Sequence, residues 1–211
     1  MRRLSLLLLV AVATLGACGR SGEQARGSAA GDDGWRGTLL AEPWPKPDFT
    51  LTATDGQPYD FAAETDGYLT LLFFGYTHCP DVCPLHMANL DAVLDQLPGD
   101  VRANTKVVFA TTDPARDTPA RLKDWLGAFD PSFIGLTGSV PEVVAAQEAA
   151  GVPVAGAEPP GEDGSYVVGH AAQVIAYTRD GQAHIVYPFG TRQGDWADDL
   201  PRLLQEPAWN P

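Results

Sequence analysis

Nine consecutive residues, Tyr68 to Tyr76 (YLTLLFFGY), carry no charge and no alternation of apolar with polar side chains. A strand with one wet face alternates, so a run without alternation is a strand covered on both faces. This segment therefore demands a layer above and a layer below its sheet. The rest of the chain can supply them. Leu85, Ala88, Leu90, Val93, Leu94 and Leu97 recur at helical spacing across residues 84–97. Residues 106–111 form a second buried strand. Thr118-Pro119 opens a helix reaching Phe129, with Thr at the cap and Pro in the first turn. A short strand at 133–136, a helix at 141–150 and a Pro/Gly loop at 151–164 follow. Strands at 166–169, 173–177 and 183–187 come next, the last two joined at Asp180-Gly181, and a helix at 193–204 closes the pattern. Upstream, Phe49–Ala53 and Tyr59–Phe61 flank Asp55-Gly56, a turn pair that favours positive φ and hence a hairpin. Strands interleaved with helices specify the α/β class: a central mixed β-sheet flanked by helices, with an N-terminal β-hairpin.

The two ends read differently. Arg2 and Arg3 precede an apolar stretch from Leu4 to Leu15, which exits through Gly16 and Ala17 to Cys18. A basic start, a greasy run and small exit residues are the parts of an export signal. The run falls short of the ~20 residues that span a bilayer. Leu15-Gly16-Ala17-Cys18 also resembles a bacterial lipobox, which implies cleavage after residue 17 and lipid attachment at Cys18. Residues 1–17 are expected to be a lipoprotein signal peptide. Residues 18–47, rich in Gly, Ser, Ala and Pro, are expected to be a flexible tether, unless Trp35, Leu39, Leu40 and Trp44 pack on the domain. The domain then spans 48–206 and a tail 207–211. The expected location is the extracytoplasmic face of the cell membrane, held by the lipid anchor. With 27 acidic against 14 basic residues and a net charge of −13, the chain repels phosphate backbones, and nucleic acid is not an expected partner.

The chain has three cysteines, too few for a disulfide scaffold or a four-thiolate zinc site. If Cys18 carries lipid, Cys79 and Cys83 remain. Both stand where the buried strand gives way to a helix, the crevice side of an open α/β sheet. Pro84 suits the first helical position, which puts Cys83 at the N-cap, where free N–H groups and the helix dipole favour a thiolate. A purely structural disulfide would close too small a loop to remove much chain entropy. Two thiolates serve either a dithiol–disulfide couple or a soft metal. Zinc needs two of His78, His86, His170 and His184 in addition, whereas one imidazole completes a three-coordinate site suited to copper as Cu(I), Cu(II) or both.

Two blocks, Phe74-Gly75-Tyr76-Thr77-His78-Cys79-Pro80-Asp81-Val82-Cys83-Pro84 and Asp113-Pro114-Ala115-Arg116-Asp117-Thr118-Pro119, resemble the Sco/SenC family across residues 45 to 205. The resemblance implies a thioredoxin-like fold and a copper-binding factor for cytochrome c oxidase assembly. It also implies a third ligand, His170, from alignment of Val168-Gly169-His170-Ala171 with the family's late histidine motif. Gly169 and Ala171 stand in place of the usual polar neighbours, which weakens the expected hydrogen bonding around that ring.

The resulting expectation is a copper metallochaperone that binds one ion through Cys79, Cys83 and His170 and delivers it to the CuA site of an oxidase subunit. Other copper chaperones or thiol reductases are further candidate partners. The alternatives are a thiol–disulfide reductase using Cys79 and Cys83 as its catalytic dithiol, and a thiol peroxidase, which lacks a recognisable peroxide pocket in this sequence. Asp113 is expected either to support the site or to cap its loop, with Arg116 and Asp117 shaping that loop. His86 is a candidate accessory ligand or docking group. His78 is expected to point away, and His184 to lie on the surface.

Overall fold

The computed structural model describes residues 34–205. The expected signal peptide, Cys18 and the tail at 207–211 lie outside the described residues. In chain order the elements are β1 (Thr38–Pro45), β2 (Thr50–Ala53), β3 (Pro58–Asp60), α1 (Phe61–Glu64), β4 (Leu69–Gly75), α2 (Val82–Gln96), α3 (Gly99–Ala103) and β5 (Thr105–Thr111). They continue with α4 (Pro119–Gly127), β6 (Ile134–Thr137), α5 (Val140–Ala149), β7 (Gly156–Ala157), β8 (Val168–Gly169), β9 (Val174–Tyr177), β10 (Gln182–Tyr187) and α6 (Gln193–Gln205).

Eight strands form one mixed sheet in the order β1-β10-β9-β4-β5-β6-β2-β3, and β7 and β8 form a separate two-stranded ribbon. β4 sits centrally, parallel to β5 and antiparallel to β9, and all seven of its residues are buried. The unbroken apolar run is thus explained: alternate side chains serve two cores. Leu69, Leu71 and Phe73 face the layer of α2, α4 and α6. Leu72 and Phe74 face the opposite layer, with α5, Phe49 and Phe61. The hairpin at Asp55-Gly56 is present, with Gly56 at φ 82° as the turn requires.

Two short helices, α1 and α3, were not evident from periodicity, since four or five residues are too few to display it. A larger difference concerns the segment expected to be a tether, whose last part is structured. β1 pairs antiparallel with β10, Thr38 opposite Val186 and Pro45 opposite Gln182. Ahead of it Trp35 is buried in the core. The backbone N–H groups of Arg36 and Gly37 donate to the carboxylate of Asp199 at 2.9 and 3.0 Å. Tyr187 Oη donates to the same carboxylate. The register of β1 shifts between Leu39 and Trp44, which erases the two-residue alternation that marks a strand. His184 differs too. Five of the six β10 residues are buried, and its Nε2 lies 2.7 Å from Asp180 inside the fold instead of at the surface.

Candidate metal centre

β4 ends at Gly75, and the next residues turn sharply: Cys79 N–H donates to the Tyr76 carbonyl at 3.2 Å. α2 then begins at Val82, two residues earlier than Pro84 suggests. Cys83 therefore lies within the first turn, and it is fully buried. Its N–H points at Cys79 Sγ, 3.5 Å away. Burial pushes the Cys83 thiol well up from its ordinary pKa, with the neighbouring Cys79 adding to the effect. Desolvation thus opposes the lowering expected from the helix terminus. Gly75 is what admits the sulfur. A Cβ there would meet Cys83 Sγ at 2.7 Å, and the Phe73 ring equally closely.

His170 follows β8. Its Nε2 lies 3.4 Å from Cys83 Sγ, and its Nδ1 is 2.9 Å from the Ala171 carbonyl. A carbonyl only accepts, so Nδ1 carries the proton and Nε2 presents its lone pair toward the sulfur. The ring meets Phe73 and Tyr76 edge-on, at centroid distances of 5.7 and 5.6 Å. Donor atoms of Cys79, Cys83 and His170 all lie within 4.8 Å of one another, the one such group among the described residues. Metal–donor bonds of about 2.0–2.3 Å put three trigonal ligands roughly 3.5–4 Å apart, so the spacing suits a small ion. Two sulfurs and one imidazole, with no fourth donor grouped with them among the described residues, fit copper better than closed tetrahedral zinc. Both thiols are unbridged. The cleft at their mouth has a volume of 270 Å³ and runs between Cys79, Pro80 and Val82 on one side and Val167 and His170 on the other.

The remaining candidates fall outside the ligand group. Asp113 accepts from Tyr166 Oη at 2.8 Å and pairs with Arg116, whose guanidinium covers the Tyr166 ring. It reaches His170 only indirectly, through Tyr166 and through Arg116, which also lies over the Tyr76 ring. Asp117 shapes its loop and more. Fully buried, it accepts from Thr77 N, Thr77 Oγ1 and Thr111 Oγ1 at 2.6–2.9 Å, tying the end of β5 to the turn that carries Cys79. His78 points away as expected, 3.7 Å from Asp117. His86 is buried, with Nε2 2.9 Å from the Ala172 carbonyl. Sequence reasoning missed the roles of Gly75, Phe73 and Tyr76. Their signal was present in the apolar run, but it reads there as core alone.

Fold and centre together define a thioredoxin-like domain bearing a soft-metal site of two sulfurs and an imidazole. The family model SCO1/SenC matches residues 41–205, and the chain belongs to that family. A Stutzerimonas stutzeri protein provisionally named for copper binding is 35% identical over 163 residues, 76% of this chain and 75% of that one. The apo Sco1 structure from Thermus thermophilus superposes with TM-score 0.72 at 33% identity, covering 81% of this chain and 97% of its own. Bradyrhizobium japonicum ScoI, solved with copper bound, gives 0.68 at 35% identity, covering 76% and 99%.

Proposed function

We propose that this protein is a copper metallochaperone, taking one copper ion on Cys79, Cys83 and His170 and passing it to the CuA site of a cytochrome c oxidase subunit. The observation that carries the reading is the convergence of three soft donors within 4.8 Å of one another, with Cys79 and His170 lining one cleft and Cys83 buried beneath it. Membership of a family with copper-bound relatives supports it. Cys79 is the more exposed sulfur, so it is the first to exchange with an incoming acceptor thiolate, while buried Cys83 leaves last. Because burial disfavours the free Cys83 thiolate, its proton departs as the cation arrives, and loading releases acid. Lipid attachment at Cys18 and residence on the extracytoplasmic membrane face complete the proposal, since tethering raises the local concentration near a membrane-bound acceptor. Fatty-acid labelling that is lost in Cys18→Ala tests that part.

The decisive experiment is an anaerobic copper titration of the reduced domain beside His170→Ala and Cys83→Ser. One ion per chain in the wild type, with weakened binding in both variants, supports the reading. No binding by the wild type, or equal binding by His170→Ala, refutes it. One observation also favours a thiol–disulfide role: a half-buried thiol backed by a fully buried one four residues on. Cys79 would attack an acceptor disulfide, and Cys83 would resolve the mixed disulfide, leaving Cys79–Cys83 bridged until a membrane thiol reductase restores it. Rescue of oxidase assembly by the copper-free His170→Ala variant would favour that role.

A further inference from the structure

The residues flanking His170 give its Nδ1 no side-chain partner: Gly169 and Ala171 offer no hydrogen-bonding group. What holds the ring is backbone, the Ala171 carbonyl on Nδ1. The next carbonyl along, that of Ala172, is gripped by a residue of another element. His86, one turn beyond Cys83 on α2, lies 2.9 Å from it through Nε2, and a carbonyl again only accepts, so Nε2 is the donor. His86 is 3% exposed. Its ring packs on Phe73 at 4.9 Å, and Phe73 also touches His170 edge-on at 5.7 Å. Phe189 covers its other side at 5.7 Å. The two histidines thus flank one aromatic ring, and the buried one anchors the peptide segment on which the other depends.

We infer that His86 is a positioning residue for the metal centre: it fixes the Ala171–Ala172 backbone so that His170 keeps its Nδ1–H tautomer and aims Nε2 at Cys83. The inference rests on the copper reading for its consequence but not for its test. His86 is not itself a ligand: it stands outside the group of donors that gather within 4.8 Å, and its Nε2 donates to the carbonyl. Its position on α2 places cysteine and support on one rigid helix, so the distance from Cys83 to His170 is set by α2 at both ends. Outer hydrogen bonds of this kind change metal affinity by about 10–100-fold when removed.

The test compares wild type, His86→Leu and His86→Gln, with His170→Ala and the double variant His86→Leu/His170→Ala. Leucine fills the apolar site but leaves the Ala172 carbonyl without a donor, whereas the glutamine amide restores one. In metal-free protein, ¹⁵N NMR of the His170 ring is expected to show one tautomer in wild type, exchange between two in His86→Leu, and return to one in His86→Gln. Copper affinity, measured with the metal alone, is expected to fall at least tenfold in His86→Leu and not to fall further when His86→Leu is added to His170→Ala. An unchanged His170 tautomer in His86→Leu overturns the inference, as does an equal loss of affinity with and without His170. If the wild type binds no copper yet the metal-free tautomer still shifts, the positioning stands and the copper reading falls.

Discussion

Gly75→Ala isolates the geometry of the centre with a single methyl group. The backbone there is ordinary strand, outside the positive-φ region, so the cost is crowding alone. The new Cβ would lie 2.7 Å from Cys83 Sγ, 2.7 Å from Phe73 Cε1 and 3.1 Å from Phe109 Cε2, where ordinary contact begins at 3.4 Å. Both rings belong to residues fully buried in the core, so they have little room to retreat. The sulfur, at the start of α2, must give by about 0.7 Å. Overpacking of this kind costs about 1–3 kcal/mol, which at 2–4 °C per kcal/mol lowers Tm by roughly 2–12 °C for a domain of this size. The same displacement alters the 3.4 Å approach of Cys83 Sγ to His170 Nε2, and copper affinity is expected to drop about tenfold or more. Thermal unfolding by circular dichroism and anaerobic competition titration read the two effects separately. A variant with unchanged Tm and unchanged affinity would refute the claim that Gly75 makes room for the ligand.

Trp35→Ala is expected to cost about 3–5 kcal/mol in urea unfolding, the range for emptying a buried Trp site; a loss below 1 kcal/mol would show that the segment before β1 is not part of the core. Asp117→Ala strips the acceptor from Thr77 N, Thr77 Oγ1 and Thr111 Oγ1 and is expected to cost about 2–4 kcal/mol, with faster proteolysis at the Cys79 turn; an undiminished urea midpoint would contradict it. Asp195 gives a pH signature. Its hydrogen bond and ion pair with Arg192 hold the carboxyl below the 3.8 of an ordinary aspartate. The folded value is therefore the lower one, so its contribution is complete above pH 3.8 and vanishes as pH falls through the folded value. Asp195→Asn should flatten the stability profile below pH 4 and leave its slope near neutrality unchanged; identical acid limbs would count against the pairing.

The parts of the molecule that were legible in sequence are those whose cause is local. The charge-free stretch of β4 announced burial on both faces, Asp55-Gly56 announced its turn, and Thr118 with Pro119 announced the start of α4. Cys79 and Cys83 could be placed at a strand–helix junction for the same reason, while His170 needed the family resemblance, because 87 residues separate it from Cys83. What escaped depends on partners distant in the chain. β1 is a strand because β10 offers it an edge and Asp199 receives its leading amides, neither of which leaves a mark on residues 36–45. The burial of Cys83, which pushes its thiol pKa up, escaped because helix position can be inferred from Pro84 whereas depth cannot. His86 looked like a candidate ligand, and nothing near it in sequence reveals that a carbonyl 86 residues away occupies its nitrogen.

The small β7–β8 ribbon stands apart from the eight-stranded sheet, and it delivers the third donor. Two donors are thus mounted on the turn after β4 and on α2, and the third on the segment between β8 and β9. An ion bound across that seam acts as a rivet. Whatever it gains by drawing the imidazole toward the sulfurs is added to the cohesion of the two pieces. Val167 lines the cleft beside Cys79 and His170, so an ion held there would also brace that wall against the helix.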